Sequence, residues 1–288
     1  MAEFDSAFWT SLVIDAAVAS AVTFLLAFGL FVSYGMFRVV NMAHGDMVMA
    51  GAYVASAAQS AGSGFLLAVI AAAATVAAIA FAMERICIGR LRNQSALATL
   101  LSTWGFGLVI SQSVRLVSGS GGRYVDPPFT GQIEILGAPY ASYQIALLGI
   151  ACSLFALTWY LLARTGRGTR FRACMDNHKL AELQGINTRL LFSATFAAAG
   201  AFAGIAGALL APISAINPDV GSGFSVSAFM VLITGGLGSV ASAAFGSLVV
   251  GGAHSMIGAF TTATAAKLAL LAIVAVILMF RRRDPDFD

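Results

Sequence analysis

The sequence predicts an all-α membrane protein: a polytopic helical bundle of about seven to nine transmembrane segments, some of them broken or re-entrant. Composition is the first reason. Apolar residues make up 59% of the 288 residues and charged residues 10%, with a mean hydropathy of +0.88, whereas soluble domains carry about 25% charged residues. Charges are also absent from three long stretches, 135–163, 190–218 and 220–266. Each exceeds the roughly 20 apolar residues that a helix needs to cross a bilayer.

The apolar runs predict the individual spans in chain order. They lie at 12–34, 43–60, 65–83, 95–117, 141–163 and 189–213, and the region 224–280 has room for two full spans and a shorter segment. The second run and the piece from Ser225 to Gly236 are short and bounded by glycine, which is typical of broken helices that line a transport path. No linker marks off a soluble domain, so residues 1–288 are predicted to form a single transmembrane domain.

Basic residues in the short loops predict the orientation of the chain. Thirteen of the 16 Lys and Arg residues fall on one side if the N-terminus is outside; they lie at 38, 85–92, 164–189 and 281–283. Only Arg115, Arg123 and Lys267 fall elsewhere. This pattern places the loop 117–140 outside and the C-terminus in the cytoplasm, with an odd number of crossings. The first residues lack the basic region of a cleaved signal peptide, so we expect the first span to be retained.

A run of small residues, 197–209, indicates close helix packing, with Gly200 and Gly204 in GxxxG spacing. Helices in lipid associate through such residues because the surrounding hydrocarbon is as apolar as leucine. Packing within the chain is the main interpretation. An interface with a partner subunit is the alternative.

The basic loop 164–189 is the most informative connection. Its residues from Phe171 to Ile186 predict a short helix that ends at Gly185. Its apolar positions are Ala173, Leu180, Ala181 and Leu183. Such a helix can lie flat on the membrane surface. Composition alone favours a plain interfacial helix over a docking element for a cytoplasmic motor.

Three polar residues, Asn41, His44 and Asp46, stand at the head of the second span. Asn41 can cap the following turn, and Asp46 in the first turn suits the helix dipole. That structural account is sufficient. An ionisable group inside a membrane segment is nevertheless a functional candidate, so a role in lining the path stays open. His44 and Asp46 alone are too few ligands for a metal site.

A glycine-rich segment, 234–239, interrupts the last apolar region. Thr234, Gly235 and Gly236 stand at its start. Glycines permit bends in the backbone and leave amides able to face a solute. Close packing and a re-entrant pore element are equally compatible with this pattern. His254, further along, is interpreted as an interior histidine rather than a proton relay.

These segments belong to a longer set of residues whose order and spacing are specific. The set comprises Tyr34–Gly35, 38–46, Gly51–Tyr53, 172–181, 185–187, Phe192, Thr195–Phe196, 203–207, 235–239 and Gly246. With it, the chain resembles the permease subunits of branched-chain amino acid ABC transporters, of the LivH type, over nearly its whole length. It departs from the family at the tail, where Arg281–Asp286 replaces the frequent Arg-Pro-x-Gly, and at 176–179, which is more basic than usual.

The resemblance implies an assembly in the bacterial inner membrane. Its other members would be a LivM-like second permease, two ATPase subunits that hold ATP and Mg, and a periplasmic solute-binding protein; this chain would bind no cofactor. The resemblance makes the basic loop a coupling helix, with ATPase-coupling residues Arg172, Ala173, Asp176, Ala181 and Gly185. The candidate translocation-path residues are Asn41, His44, Asp46, Thr234, Gly235 and Gly236.

The expected function is transport of branched-chain or other hydrophobic amino acids, or related small polar solutes, by alternating access. The chain is not expected to be an enzyme, because it holds no Gly-x4-Gly-Lys-[Ser/Thr] phosphate loop. A secondary transporter or channel is the alternative, although it would usually need more intramembrane charges than Asp15 and Asp46. An intramembrane serine protease built on Ser222 and His254 is a weaker rival, because no third orienting group is evident.

Overall fold

The computed structural model describes residues 6–37, 40–91, 94–236 and 240–280, which are almost entirely helical. The helices are α1 Ser6–Phe37, α2 His44–Ser60, α3 Phe65–Met83, α4 Gly89–Leu91, α5 Ala96–Ser118, α6 Ser142–Arg164, α7 Gly166–Asp176, α8 His178–Leu183, α9 Thr188–Leu210, α10 Val220–Gly235, α11 Val240–Ser247, α12 Ala253–Gly258 and α13 Ala263–Phe280. A π-helical turn at Glu84–Ile88 joins α3 to α4, and another at Leu248–Gly252 joins α11 to α12. Each of these pairs therefore forms one continuous helix.

The predicted all-α membrane fold is confirmed. Within the described ranges, six helices are long and apolar enough to cross a bilayer: Ala7–Met36, Phe65–Leu91, Ala96–Ser118, Ser142–Arg164, Thr188–Leu210 and Val240–Gly258. α2 and α10 are shorter, with 17 and 16 residues, as the two glycine-bounded runs predicted. α1 extends beyond the predicted 12–34 at both ends and has 32 residues.

The loop 117–140 contains a β-hairpin that the sequence analysis did not predict. β1 (Gln132–Ile135) pairs antiparallel with β2 (Ala138–Ala141), and Ile133 lies opposite Tyr140. The two turn residues, Leu136 and Gly137, have φ values of 50° and 85°. Positive φ at both positions is the conformation of a tight two-residue hairpin turn, in which glycine is favoured. The hairpin leads directly into α6.

α9 is the central helix of the bundle and packs against α1, α2 and α3. Its small residues let the neighbouring backbones approach closely. A Cβ atom on Gly200 would lie 2.7 Å from the Val76 carbonyl oxygen of α3, and one on Gly204 would lie 2.5 Å from that of Ala72. Both glycines of the GxxxG spacing are thus covered within the chain. The alternative, that they form an interface with a partner subunit, is wrong.

The bundle has two chemically different ends. At one end, Phe8 of α1 contacts Phe260, the Gln59 side chain donates to the carbonyl of Asp126 over 3.1 Å, and Arg123 pairs with Ile216. We call this the hairpin end. At the other, the basic end, α7 and α8 join α6 to α9. It carries most described basic residues: Arg85, Arg90, Arg164, Arg167, Arg170, Arg172, Lys179 and Arg189. Arg38, Arg92 and Arg281–Arg283 lie outside the described residues.

A buried carboxylate ties α9 to the π-helical turn at the basic end. Ser193 of α9 donates its hydroxyl to Glu84 Oε2 over 2.6 Å, and both side chains are buried. The acid is one of the few charged groups inside the bundle, so each donor that satisfies it stabilises the fold.

Ser193→Ala is expected to destabilise the protein by about 1–3 kcal/mol, because a buried charged acceptor loses a donor. The loss should lower the thermal unfolding midpoint in detergent. Ser153→Ala is the matched control, since its hydroxyl donates to the Gly149 carbonyl over 2.8 Å on an exposed helix face. Equal midpoints for the two variants would show that the buried hydrogen bond contributes nothing.

Candidate functional site

Two helices begin part-way along the length of the bundle rather than at one of its two ends. His44, the first residue of α2, donates its Nε2 proton to the Leu26 carbonyl over 2.8 Å. Leu26 lies about three turns before the end of α1 at Phe37, which corresponds to about 16 Å above the basic end. α10 begins close to this point, because a Cβ atom on Gly45 would overlap the carbonyl oxygen of Gly221, the second residue of α10. The Gly45 amide also donates to Ser225 Oγ, further along α10, over 3.1 Å. The chain therefore holds two broken helices whose N-termini meet within the membrane.

A cleft of about 360 Å³ opens where α2, α5 and α10 meet. Its polar lining comprises Asp46, Ser111, Gln112, Asp219, Ser222 and Ser225, and its apolar lining Met42, Trp104, Leu108, Pro218, Val226 and Phe229. Trp104 and Val226 are about half exposed, at 53% and 52%. The cleft is thus open to the surface of the chain on the side where Trp104 and Val226 are exposed.

Asp46 lies on the inner wall of this cleft, between two glycines of neighbouring helices. A Cβ atom added at Gly107 of α5 or at Gly221 of α10 would overlap its carboxylate oxygens. Both helices therefore contact the carboxylate through their glycine backbones. The Asp46 carboxylate occupies the space that a side chain at either position would need. The N-terminal turn of α2 stabilises the negative charge through the helix dipole.

The other two polar residues of this segment are buried and do not line the cleft. Asn41 Oδ1 accepts from the Ala43 amide over 3.1 Å, and Asn41 Nδ2 lies 3.8 Å from the Met47 sulfur. These contacts shape the backbone that leads into α2, whose N-cap residue is Ala43. His44 is held against α1, 1% exposed. Of the three predicted path residues in this segment, only Asp46 faces the cleft.

The glycine-rich segment separates α10 from α11 at some distance from Asp46. α10 ends at Gly235, and a Cβ there would overlap the Ser242 carbonyl oxygen, so the two helices pack tightly at this point. Gly236 follows with φ +87°. The Thr234 hydroxyl is buried, and no hydrogen-bond partner for it occurs among the described residues. These contacts favour the close-packing interpretation for Thr234–Gly236, while 237–239 lie outside the described residues.

The basic loop forms two helices, not the single helix that the sequence predicted. α7 already begins at Gly166 and ends at Asp176, and the extended residue Asn177 (φ −157°) starts α8. Asn177 Oδ1 accepts from the Leu180 amide over 3.0 Å. An asparagine side chain competes with the backbone in this way and favours a cap over a helix interior. The predicted stop is correct, because α8 gives way at Gly185, where φ is +81°.

The five predicted coupling residues differ in their accessibility. Asp176 and Gly185 are exposed, and Ala173 is half-buried. Arg172 is exposed but folds back, donating to the Leu162 carbonyl at the end of α6. Ala181 is buried, in a small cluster with Met36, Cys174 and Phe192. Ala181 therefore attaches α8 to α1 and α9 and is not available to a partner.

Two leucines of α8 form the exposed apolar part of the loop. Leu180 is 53% exposed and Leu183 is 85% exposed. They project from the basic end among Arg167, Arg170 and Lys179, which are also exposed. A cavity of about 400 Å³ lies between α1, α6 and α7, with Arg172 and Asp176 in its lining. α7 and α8 thus form a protruding element attached to the bundle through few contacts.

The structure gives no support to a serine protease site. Ser222 Oγ donates to the Asp219 carbonyl over 3.0 Å. His254 lies on α12, which packs against α1 and α13, whereas Ser222 lies on α10. Asp15, the other intramembrane acid, is exposed on the surface of α1.

Several residues around the Asp46 carboxylate could not be predicted from the local sequence pattern. Gly107, Gly221 and Ser225 position or contact the Asp46 segment, yet they lie 60 to 180 residues away along the chain. In the sequence, the first two turns of α10 are marked only by their glycine and serine content, Val220–Ser227 being VGSGFSVS. Gly107 stands within an apolar run and carries no local signal.

The chain is similar in sequence to known transport permeases. The family model described as "Branched-chain amino acid transport system / permease component" matches residues 12–279. The high-affinity branched-chain amino acid transport system permease protein LivH of Escherichia coli is 30% identical over 271 residues, covering 88% of each chain. Its counterpart from Salmonella typhimurium is 29% identical over 274 residues with the same coverage. The ribose import permease protein RbsC of Escherichia coli is 27% identical over 199 residues, 65% of this chain and 59% of that protein. No solved structure matches the chain.

Proposed function

Because the chain belongs to the branched-chain amino acid transport system permease family, we propose that it carries branched-chain or similar hydrophobic amino acids across the bacterial inner membrane. It does so as one subunit of an ATP-driven importer. The observation that carries this proposal is the pairing of a protruding α7–α8 element at the basic end with two helices broken at the cleft. Relatives that match 88% of the chain are named for amino acids, whereas the ribose permease matches 65%.

The proposed partners are those of an ATP-driven importer. Two separate ATPase subunits hold ATP and Mg and hydrolyse the nucleotide, which agrees with the lack of a Walker-type phosphate-binding loop in this sequence. They dock on the α7–α8 element through Leu180 and Leu183. A LivM-like second permease covers the open side of the cleft, where Trp104 and Val226 are exposed. A periplasmic solute-binding protein delivers the solute at the hairpin end.

The proposed orientation places the basic end in the cytoplasm. Eight described Lys and Arg residues lie there, against Arg115, Arg123 and Lys267 at the other end, and positive charge favours the cytoplasmic side. α1 then begins outside and α13 ends inside. This is also the side on which ATPases can reach α8.

The mechanism is alternating access between α2, α5 and α10 of this chain and the equivalent surface of the second permease. Closure of the ATPases displaces α7 and α8. These helices are attached to α1 through Met36 and to α9 through Phe192, so their movement reaches the helices that pack against α2. ATP can bias the two states only through the difference in affinity between them.

Reconstitution tests the proposal against a secondary transporter. A second permease and two ATPases should co-purify with the tagged chain after extraction in mild detergent, and mass spectrometry identifies them. Liposomes containing that assembly and the binding protein should accumulate leucine only with ATP inside. Uptake by this chain alone, driven by an ion gradient and abolished by an ionophore, would contradict the proposal and support the secondary transporter.

A further inference from the structure

We propose that Asp46 is the counter-ion for the α-ammonium group of the transported solute, which binds in the cleft between α2, α5 and α10. This inference rests on the proposed function and makes it more specific. It assigns one residue and one charge to the recognition of an amino acid within the permease.

The first argument is the depth of Asp46. α2 continues from Asp46 to Ser60, a rise of about 21 Å toward the hairpin end. Asp46 also lies near the level of Leu26, about 16 Å above the basic end of α1. The residue is therefore well inside the membrane. An ionised side chain at this depth is costly unless it faces a partner or a water-filled cavity.

The second argument is that Asp46 lacks a partner within the part of the chain that the structure describes. No hydrogen bond or ion pair to its carboxylate occurs there, and the group faces the cleft. Two other acids of the bundle do have partners. Glu84 accepts from Ser193 over 2.6 Å, and Asp219 pairs with Arg115 over 2.6 Å. Asp46 is thus a membrane-embedded acid whose only free side is the cleft.

The third argument is that the space around the carboxylate is built from the neighbouring helices. Side chains at Gly107 and Gly221 would overlap its two oxygens, so α5 and α10 fix its position without neutralising it. A carboxylate that is held in place and left without a partner is suited to binding a cation, because little reorganisation is needed when the ligand arrives.

The rest of the cleft fits the remainder of an aliphatic amino acid. Ser111 and Ser222 already donate to backbone carbonyls, and Ser225 accepts from the Gly45 amide. Each hydroxyl oxygen keeps capacity to accept a further hydrogen bond, while Trp104 and Phe229 offer an apolar wall. A solute with an ammonium group and an apolar side chain can therefore place each group against a matching surface. A sugar would leave the charge of Asp46 uncompensated.

The test is ATP-driven leucine uptake by the complete importer in liposomes, with the solute-binding protein added. Asp46→Asn keeps the shape and removes the charge, so we expect uptake to fall at least tenfold while the subunits still assemble on gel filtration. Asp46→Glu keeps the charge and should retain at least a third of the wild-type rate. A structural role for the side chain would not separate these variants by charge.

Asp15→Asn is the matched control. Asp15 is the other intramembrane acid, but it is exposed on the surface of α1 and is not part of the cleft lining, so we expect uptake within threefold of wild type. Uptake by Asp46→Asn within twofold of wild type would overturn the inference and leave the proposed function intact. A wild-type importer that assembles with its partners but takes up no amino acid would instead refute the proposed function.

A cysteine variant tests the charge directly if Asp46→Asn fails to assemble. Asp46→Cys is made in a background in which Cys87, Cys152 and Cys174 are replaced by alanine. An anionic sulfonatoethyl thiosulfonate reagent should restore uptake at least threefold, whereas its trimethylammonium analogue should not. Equal effects of the two reagents would overturn the inference, because the sign of the charge would then be irrelevant.

Discussion

Leu183→Asp is expected to separate the permease from its ATPases without unfolding it. Leu183 is 85% exposed on α8 at the basic end, so the folded chain loses little when the side chain changes. In the proposed assembly the same leucine is buried against an ATPase. Burying a leucine contributes about 1.5–3 kcal/mol, and an aspartate there would also lose solvation. We expect ATPase recovery with the tagged chain to fall at least tenfold, with a parallel loss of uptake.

Leu136→Asp is the control for this substitution. Leu136 is similarly exposed, at 79%, but it lies in the hairpin turn at the opposite end of the bundle. Its substitution should leave ATPase recovery unchanged. Both variants should give the same gel-filtration profile as the wild-type permease. Full ATPase recovery with Leu183→Asp would show that α8 is not the docking element.

Gly207→Leu is expected to prevent folding. A Cβ at Gly207 of α9 would overlap the Val48 carbonyl oxygen and lie 2.7 Å from the Ala52 amide nitrogen, both in the backbone of α2. Backbone cannot move aside as a flexible side chain can, so the central helix would be forced away from α2. Overpacking of this kind costs about 3 kcal/mol or more. We expect the yield of monodisperse protein in detergent to fall at least tenfold.

Gly149→Leu provides the comparison for Gly207→Leu. Gly149 lies in the middle of α6, and a Cβ there would meet no atom of a neighbouring described element within 4 Å. This variant should be recovered at the wild-type yield and elute at the same volume. A Gly207→Leu protein that behaves like Gly149→Leu would mean that α9 and α2 are not in close contact.

Much of the fold could be predicted from the sequence because membrane helices obey a length rule. Uninterrupted apolar runs longer than a bilayer core have to be spans, which located α5, α6 and α9 to within a few residues. Short apolar runs bounded by glycine identified α2 and α10 as broken helices. The hairpin had a weaker signal, since the alternation in Gln132–Ile135 covers only four residues.

The candidate site was predicted less well, for two physical reasons. α2 is buried on nearly all sides, so its sequence does not distinguish Asp46, which faces the cleft, from His44, which faces α1. The second reason is that the contacts of Asp46 come from α5 and α10. These arise from helix packing, which the local pattern around 41–46 does not contain. The break at Asn177 could have been predicted, because an asparagine between two apolar stretches favours a helix start.

α1 is a long, unbroken helix that can transmit movement from one end of the bundle to the other. Its 32 residues extend about 48 Å, well beyond the roughly 30 Å of hydrocarbon that it has to cross. One arm reaches Phe260 near the hairpin end, and the other reaches the α7–α8 element, where Gly35 lies against Met175. Rotation of such a rod by about 5° shifts one tip by about 4 Å relative to the other. Movements at the hairpin end and at the basic end are thus coupled through a single rigid body, without any change inside the helix.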